Sequence, residues 1–88
     1  MDRIIDAVHV RRLPEVFEQG NLYVAEDPPV AGHLCCCGCG ERIVLSIGPL
    51  GWKYTEKAGR PSLSPMIGNL GLPCDSRYTI RDGEVIWA

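Results

Sequence analysis

Apolar and polar positions alternate over short stretches of this chain, and no stretch holds a helical period for long. "IIDAVHVRR" (residues 4–12) has the β-branched content of a strand. "NLYVAE" (21–26) sets Leu22 and Val24 against Tyr23 and Ala25, the period of two expected of a strand. "RIVLSI" (42–47), bounded by Gly40 and by "GPLG", is the clearest single strand. "WKYTEK" (52–57) puts Trp52, Tyr54 and Glu56 on one face and reads as an outer strand. Between the first two, Pro14 at a first turn and Gly20 past the end predict one short helix over Pro14–Gln19. Pro28 and Pro29 stop the second strand, and a cysteine loop follows. Residues 58–74 read as loop, with one extended piece at Ser62–Ser64.

The C-terminus has the strongest local signal. In "RYTIRDGEVIWA", Asp82-Gly83 separates two β-rich runs, as a two-residue type I′ hairpin turn requires. That register opposes Arg81 to Glu84, Ile80 to Val85 and Tyr78 to Trp87. Tyr78, Ile80, Val85 and Trp87 then form one apolar face. Thr79, Arg81, Glu84 and Ile86 occupy the other.

These elements predict a mostly β fold: a small antiparallel sheet or partial barrel with one short helix, in a single domain over residues 1–88. A chain of 88 residues hides only roughly 60–65% of the surface its unfolded form exposes. Burial and chain entropy then nearly cancel, so a cross-link is expected. The net charge is −2, with four basic and seven acidic residues before Val44 and five and four after it. Neither half has the basic excess of a nucleic-acid footprint. No apolar run approaches the roughly 20 residues that span a bilayer, and "MDRIIDAVHVRR" lacks the apolar centre of a signal peptide. The expectation is a soluble, cytoplasmic protein without membrane or nucleic-acid partners.

Cysteine supplies the expected cross-link. There are five, and "HLCCCGCG" (33–40) crowds four of them into residues 35–39. Such neighbours cannot pair with one another in relaxed disulfide geometry, and only Cys74 is distant enough to partner one easily. A cytosolic cluster of this kind points to metal. In an extended loop Cys35, Cys37 and Cys39 share a side, with His33 one step further along it, while Cys36 points away. Cys74 completes a tetrahedral set, delivered at the entry to the hairpin. Zn²⁺ suits four sulfur ligands in a closed structural site, and Arg42 and Arg77 would partly offset the thiolate charge. His33 is equally suited to a hydrogen bond within the loop.

The blocks "GNLYVAEDPPVAGHLCCCGCGERIVLSI", "PSLSPMIGN" and "CDSRYTIRDGEVIW", with a Trp between, resemble a family of small bacterial zinc-binding proteins. Its pattern runs G-x-L-Y, H-x-C-x-C-G-C-G, Trp, P-S-I-G-N, then C-x-S-H-Y-x-I and V-x-W. Its members are encoded beside ubiquitin-like modification genes with E1-like and E2-like enzymes. The resemblance covers residues 20–88 and implies a zinc-containing accessory protein of such a pathway. A ubiquitin-like protein or its conjugating enzymes would be the partner, and a peptidase that processes the ubiquitin-like tail the activity. On this pattern Cys35, Cys37, Cys39 and Cys74 match the family's cysteines, His33 its histidine, and Cys36 a variable position.

Two positions depart. Met66 stands where the pattern has Ser, and Arg77 where it has His. A Ser–His pair could serve as nucleophile and base; Met66 offers no such nucleophile, and Arg77 stays protonated. His33 and Ser76 remain as candidate catalytic residues. The expectations are therefore a ubiquitin-like-protein peptidase, active or disabled by Met66 and Arg77, or a non-catalytic zinc-stapled binding module. A redox or metal sensor built on the crowded thiols is the third reading.

Overall fold

The computed structural model describes residues 3–68 and 76–88. The described residues form eight strands: β1 (Asp6–His9), β2 (Asn21–Glu26), β3 (Pro29–Leu34), β4 (Arg42–Ser46), β5 (Lys53–Lys57), β6 (Arg60–Gly68), β7 (Arg77–Arg81) and β8 (Glu84–Trp87). They form two four-stranded sheets, ordered β1-β2-β3-β4 and β5-β6-β7-β8. All neighbours are antiparallel except β1 and β2, which are parallel. The fold is mostly β, but in two sheets that do not close into a barrel.

The two sheets share one core. Leu22, Val24, Ala31, Ile43 and Leu45 of the first meet Leu63, Ile67, Tyr78, Ile80 and Val85 of the second. The chain joins both sheets near its start. The Ile5 N–H donates to Gly83 O at 2.8 Å, and the next N–H, of Asp6, donates to Gly20 O at 2.9 Å. Ile5 is consequently buried between them.

The expected helix over Pro14–Gln19 is absent. Because β1 and β2 are parallel, their connection must cross over, and residues 10–20 do so without helix. Phe17 is buried and stacks on Tyr23, with ring centroids 5.2 Å apart. A Cβ on Gly32 would come within 2.6 Å of the Phe17 ring, so the glycine makes room for this aromatic. Arg42 lies over Phe17 at 4.1 Å and donates to the carbonyls of Glu15 (2.6 Å) and Pro14 (2.9 Å). A helix of one or two turns is unfavourable to nucleate, and these tertiary contacts override its local signals.

The C-terminal hairpin has the expected register, from Arg81↔Glu84 to Tyr78↔Trp87. Asp82 (φ 49°) and Gly83 (φ 78°) both have the left-handed backbone of a type I′ turn. Two strands depart from the sequence expectation. β3 begins at Pro29, directly after the Asp27–Pro28 turn, where the prolines had argued for a stop. Pro29 is exposed at the strand's first position, a place proline tolerates. β6 runs over nine residues rather than three. Its Pro61 lies near the strand start and its Pro65 in a register shift between Leu63 and Ile67, the positions where a sheet accepts proline.

Candidate metal centre and its neighbourhood

After β3 the chain makes a tight reversal into β4. The Cys35 N–H donates to Glu41 O at 2.8 Å, and the Gly38 N–H returns to Cys35 O at 3.0 Å. Gly38 and Gly40 take φ of 90° and 83°, which side chains resist. The reversal gathers the sulfurs of Cys35, Cys37 and Cys39 within 4.8 Å of one another. Zinc–sulfur bonds of about 2.3 Å in a tetrahedron place sulfurs about 3.8 Å apart. The three thiols fit such an ion, as does their softness.

Cys35, Cys37 and Cys39 are grouped as expected, but a turn gathers them and not side alternation in an extended loop. Cys36, like Cys35, is fully buried in the shared core, but its sulfur is not in the gathered group. The Cys35 thiol donates to the Cys37 sulfur at 3.4 Å. The Cys37 pKa is lowered, chiefly by a hydrogen bond with the Ser76 side chain and less by those with Cys35 and Cys39; burial opposes the shift. Cys74, the expected fourth ligand, lies outside the described residues.

His33 is placed elsewhere. It lies opposite Ile43 on the inward side of β3, is fully buried, and is not among the gathered ligands. Its Nε2 is 2.7 Å from the Tyr78 hydroxyl, which also accepts from the Cys36 N–H at 3.4 Å. Burial raises the Tyr78 pKa, so the phenol keeps its proton. Burial lowers the His33 pKa to about 4, so the ring is neutral at physiological pH. Its Nδ1 is buried and has no hydrogen-bond partner among the described residues. The sequence signal for this inward role was the alternation of Ala31 and His33, hidden because β3 was read as loop.

Residues 9–88 match the family described as the bacterial ubiquitination-like system serine protease, BubE. The chain belongs to the BubE family. No curated protein and no solved structure matches it. Among the described residues no helix is long and apolar enough to cross a membrane.

A BubE family chain invites a search for a serine with a base beside it. The four serines are Ser46, Ser62, Ser64 and Ser76 and the two histidines His9 and His33. The Ser62 hydroxyl accepts from the Asp82 N–H at 2.8 Å, and Ser76 is bonded to Cys37. His9 is held by Glu56 at 2.6 Å, and His33 by Tyr78. These bonds carry His33 and Ser76 to different partners.

The two departures from the family pattern lie on neighbouring strands. Arg77 lies opposite Gly68, and Met66, next to the inward Ile67, stands two residues before Gly68 within the register shift. Both are exposed, Met66 at 46%.

Proposed function

We propose that this chain is a metal-stapled accessory protein of a bacterial ubiquitination-like system that binds a ubiquitin-like protein or a conjugating enzyme. It keeps the scaffold of a tail-processing peptidase without the hydrolytic pair. The observation that carries this reading is that Met66 and Arg77 are both exposed where β6 pairs with β7, Arg77 opposite Gly68 and Met66 two residues before it. Serine and histidine at those positions, as in the family pattern, would put a nucleophile and a base on one surface. Bulges commonly lie beside active sites and re-aim a side chain. A thioether and a guanidinium there can still bind but cannot take a proton from a nucleophile.

Zinc is the metal proposed for the thiols, with Cys35, Cys37, Cys39 and Cys74 as its four ligands. Four protein ligands close the site, so the ion supplies folding energy and leaves no position for a water. His33 and Ser76 act in this reading as supports. His33 fixes Tyr78, and Ser76 steadies a metal-binding sulfur, in the way outer-shell groups orient ligands.

The test is cleavage of a fusion bearing the ubiquitin-like protein's C-terminal tail, measured beside binding of the same protein. The chain itself should bind without cleaving, and Met66→Ser with Arg77→His should gain cleavage. Cleavage by the unaltered chain would overturn the loss of hydrolysis. If neither form cleaves and neither binds a protein of the system, the whole reading falls.

A further inference from the structure

We propose that the outward face of the sheet β5–β8 is a docking surface for an acidic patch on a partner protein. The strand registers put Lys53 and Lys57 of β5, Arg60 of β6, and Arg77 and Arg81 of β7 on this one face. All five are exposed. They are five of the nine basic residues of a chain whose net charge is −2. Glu84 is the one acid that the strands β5–β8 add to the face, opposite Arg81. Between the cations stand Thr55, Ser62, Ser64 and Thr79, which donate and accept hydrogen bonds. Met66 and Ile86 are its exposed apolar contacts, at 46% and 39%.

Folding does not account for this arrangement. Lys57 and Arg60 lie directly opposite each other across the β5–β6 ladder, where like charges destabilise a sheet. Among the described residues none of the five is in an ion pair. Lysines on an edge strand deter edge-to-edge aggregation, which explains Lys53 and Lys57 on β5. It does not explain Arg77 and Arg81, because β7 is an interior strand.

Charge complementarity selects an acidic occupant, and the other side chains select its class. Tyr54 and Tyr78 sit on the inward faces of their strands, opposite Leu63 and Ile67, so β5–β8 give the cationic face no aromatic platform. Single-stranded nucleic acid is held by stacking on such platforms. Two scattered apolar side chains on a flat sheet are a poor membrane anchor. Hydroxyls among arginines suit the carboxylates and amides of a protein. Arg77 and Met66 belong to the same face, so a partner seated there covers the positions discussed above. The inference rests on the proposed function only for which proteins to try.

The experiment titrates the full-length, metal-loaded chain with the ubiquitin-like protein and the E1-like and E2-like enzymes of its own system. Calorimetry at about 50 and about 300 mM NaCl brackets the physiological screening length. The variant Lys57→Glu with Arg60→Glu reverses two charges distant in register from Met66 and Arg77. It keeps the opposed pair like-charged, so metal content and melting temperature should not move. One of the proteins should bind, with affinity falling at least about tenfold in the variant and falling with salt in the unaltered chain. Binding that is indifferent to the reversal overturns this inference and leaves the proposed function standing. Tighter binding to a single-stranded DNA oligomer or to anionic phospholipid vesicles also overturns it. If none of the proteins binds, both fall.

Discussion

In the sheet β5–β8 every neighbouring pair is antiparallel, and two of its three connections include a two-residue turn or strands in simple register. Its inward residues Leu63, Ile67, Tyr78, Ile80 and Val85 are all buried. In the sheet β1–β4 the first pair is parallel, a non-helical crossover covers one face, and the β3–β4 connection is the thiol reversal. The first of these arrangements is specified by local turns and alternation. The second depends on contacts between residues far apart in the chain, and on whatever holds three sulfurs together. Stability should therefore be distributed unequally, with the proposed metal acting first on β3 and β4.

Metal removal breaks that contrast most severely. Structural zinc contributes apparent energies of about 10–16 kcal/mol in small domains, comparable to the whole stability of a typical domain. A strong chelator should lower the melting temperature by tens of degrees. Amides of β3, β4 and the reversal at 35–41 should lose hydrogen-exchange protection before those of β7 and β8. Cys37→Ser and Cys74→Ser should reproduce the effect, while Cys36→Ala should cost only about 1–2 kcal/mol for a small cavity. A metal-free chain that melts unchanged would remove the metal from the account.

The next effect concerns the buried tie between the sheets. Tyr78→Phe deletes the hydroxyl that joins His33 on β3 and the Cys36 N–H to β7. It leaves His33 Nε2 without its partner, in addition to Nδ1. Leaving a buried polar group unpaired costs about 1–3 kcal/mol. Denaturant unfolding should show that loss with little change in slope. His33→Leu combined with Tyr78→Phe should recover part of it, because an apolar pair leaves nothing unsatisfied.

What was legible before the structure follows the same division. The register of the β7–β8 hairpin could be read residue by residue, because Asp-Gly fixes its own turn and alternation does the rest. The grouping of Cys35, Cys37 and Cys39 could also be read from their crowding within five residues, although a turn at Gly38 and Gly40 brings it about and not strand parity. The crossover could not. Pro14 and Gly20 mark a helix locally, but Phe17 answers to Gly32 and Arg42, whose positions no window around Pro14 contains. β3 and β6 were obscured by prolines that the sheet tolerates at a strand start or in a bulge. The inward role of His33 was lost along with β3.

The second sheet has one weak point, and it sharpens the comparison. The β5–β6 turn is Ala58-Gly59, with φ of 52° and 77°, the same geometry as Asp82-Gly83. A left-handed conformation costs an L-residue with a Cβ roughly 1–2 kcal/mol, whereas glycine adopts it freely at an entropic cost of roughly 0.5–1 kcal/mol. Ala58→Gly should therefore stabilise by about 0.5–1 kcal/mol, read as a higher denaturant midpoint. The exchange protection of β5 and β6 should rise and that of β3 should not.

The smallest effect is electrostatic and lies on the rim, where β1 and β5 meet through one carboxylate. Glu56 Oε1 is 2.6 Å from His9 Nε2 and accepts from the Tyr54 hydroxyl at 2.6 Å. The Glu56 pKa is lowered, first by the Tyr54 hydrogen bond and then by His9, with burial opposing. A carboxylate whose folded pKa lies below its unfolded value stabilises the fold above the unfolded value. That contribution is lost as pH falls through the folded one. Glu56→Gln keeps an acceptor for Tyr54 and removes only the charge. The melting temperature of the unaltered chain should exceed that of the variant slightly at neutral pH. The two should converge as pH falls below the ordinary carboxylate value, 4.5 for this group. Exposed ion pairs contribute little, so this difference should be well under that of Tyr78→Phe. If it were as large, the two sheets would be held together at their rim, and the buried His33–Tyr78 contact would not be the main tie between them.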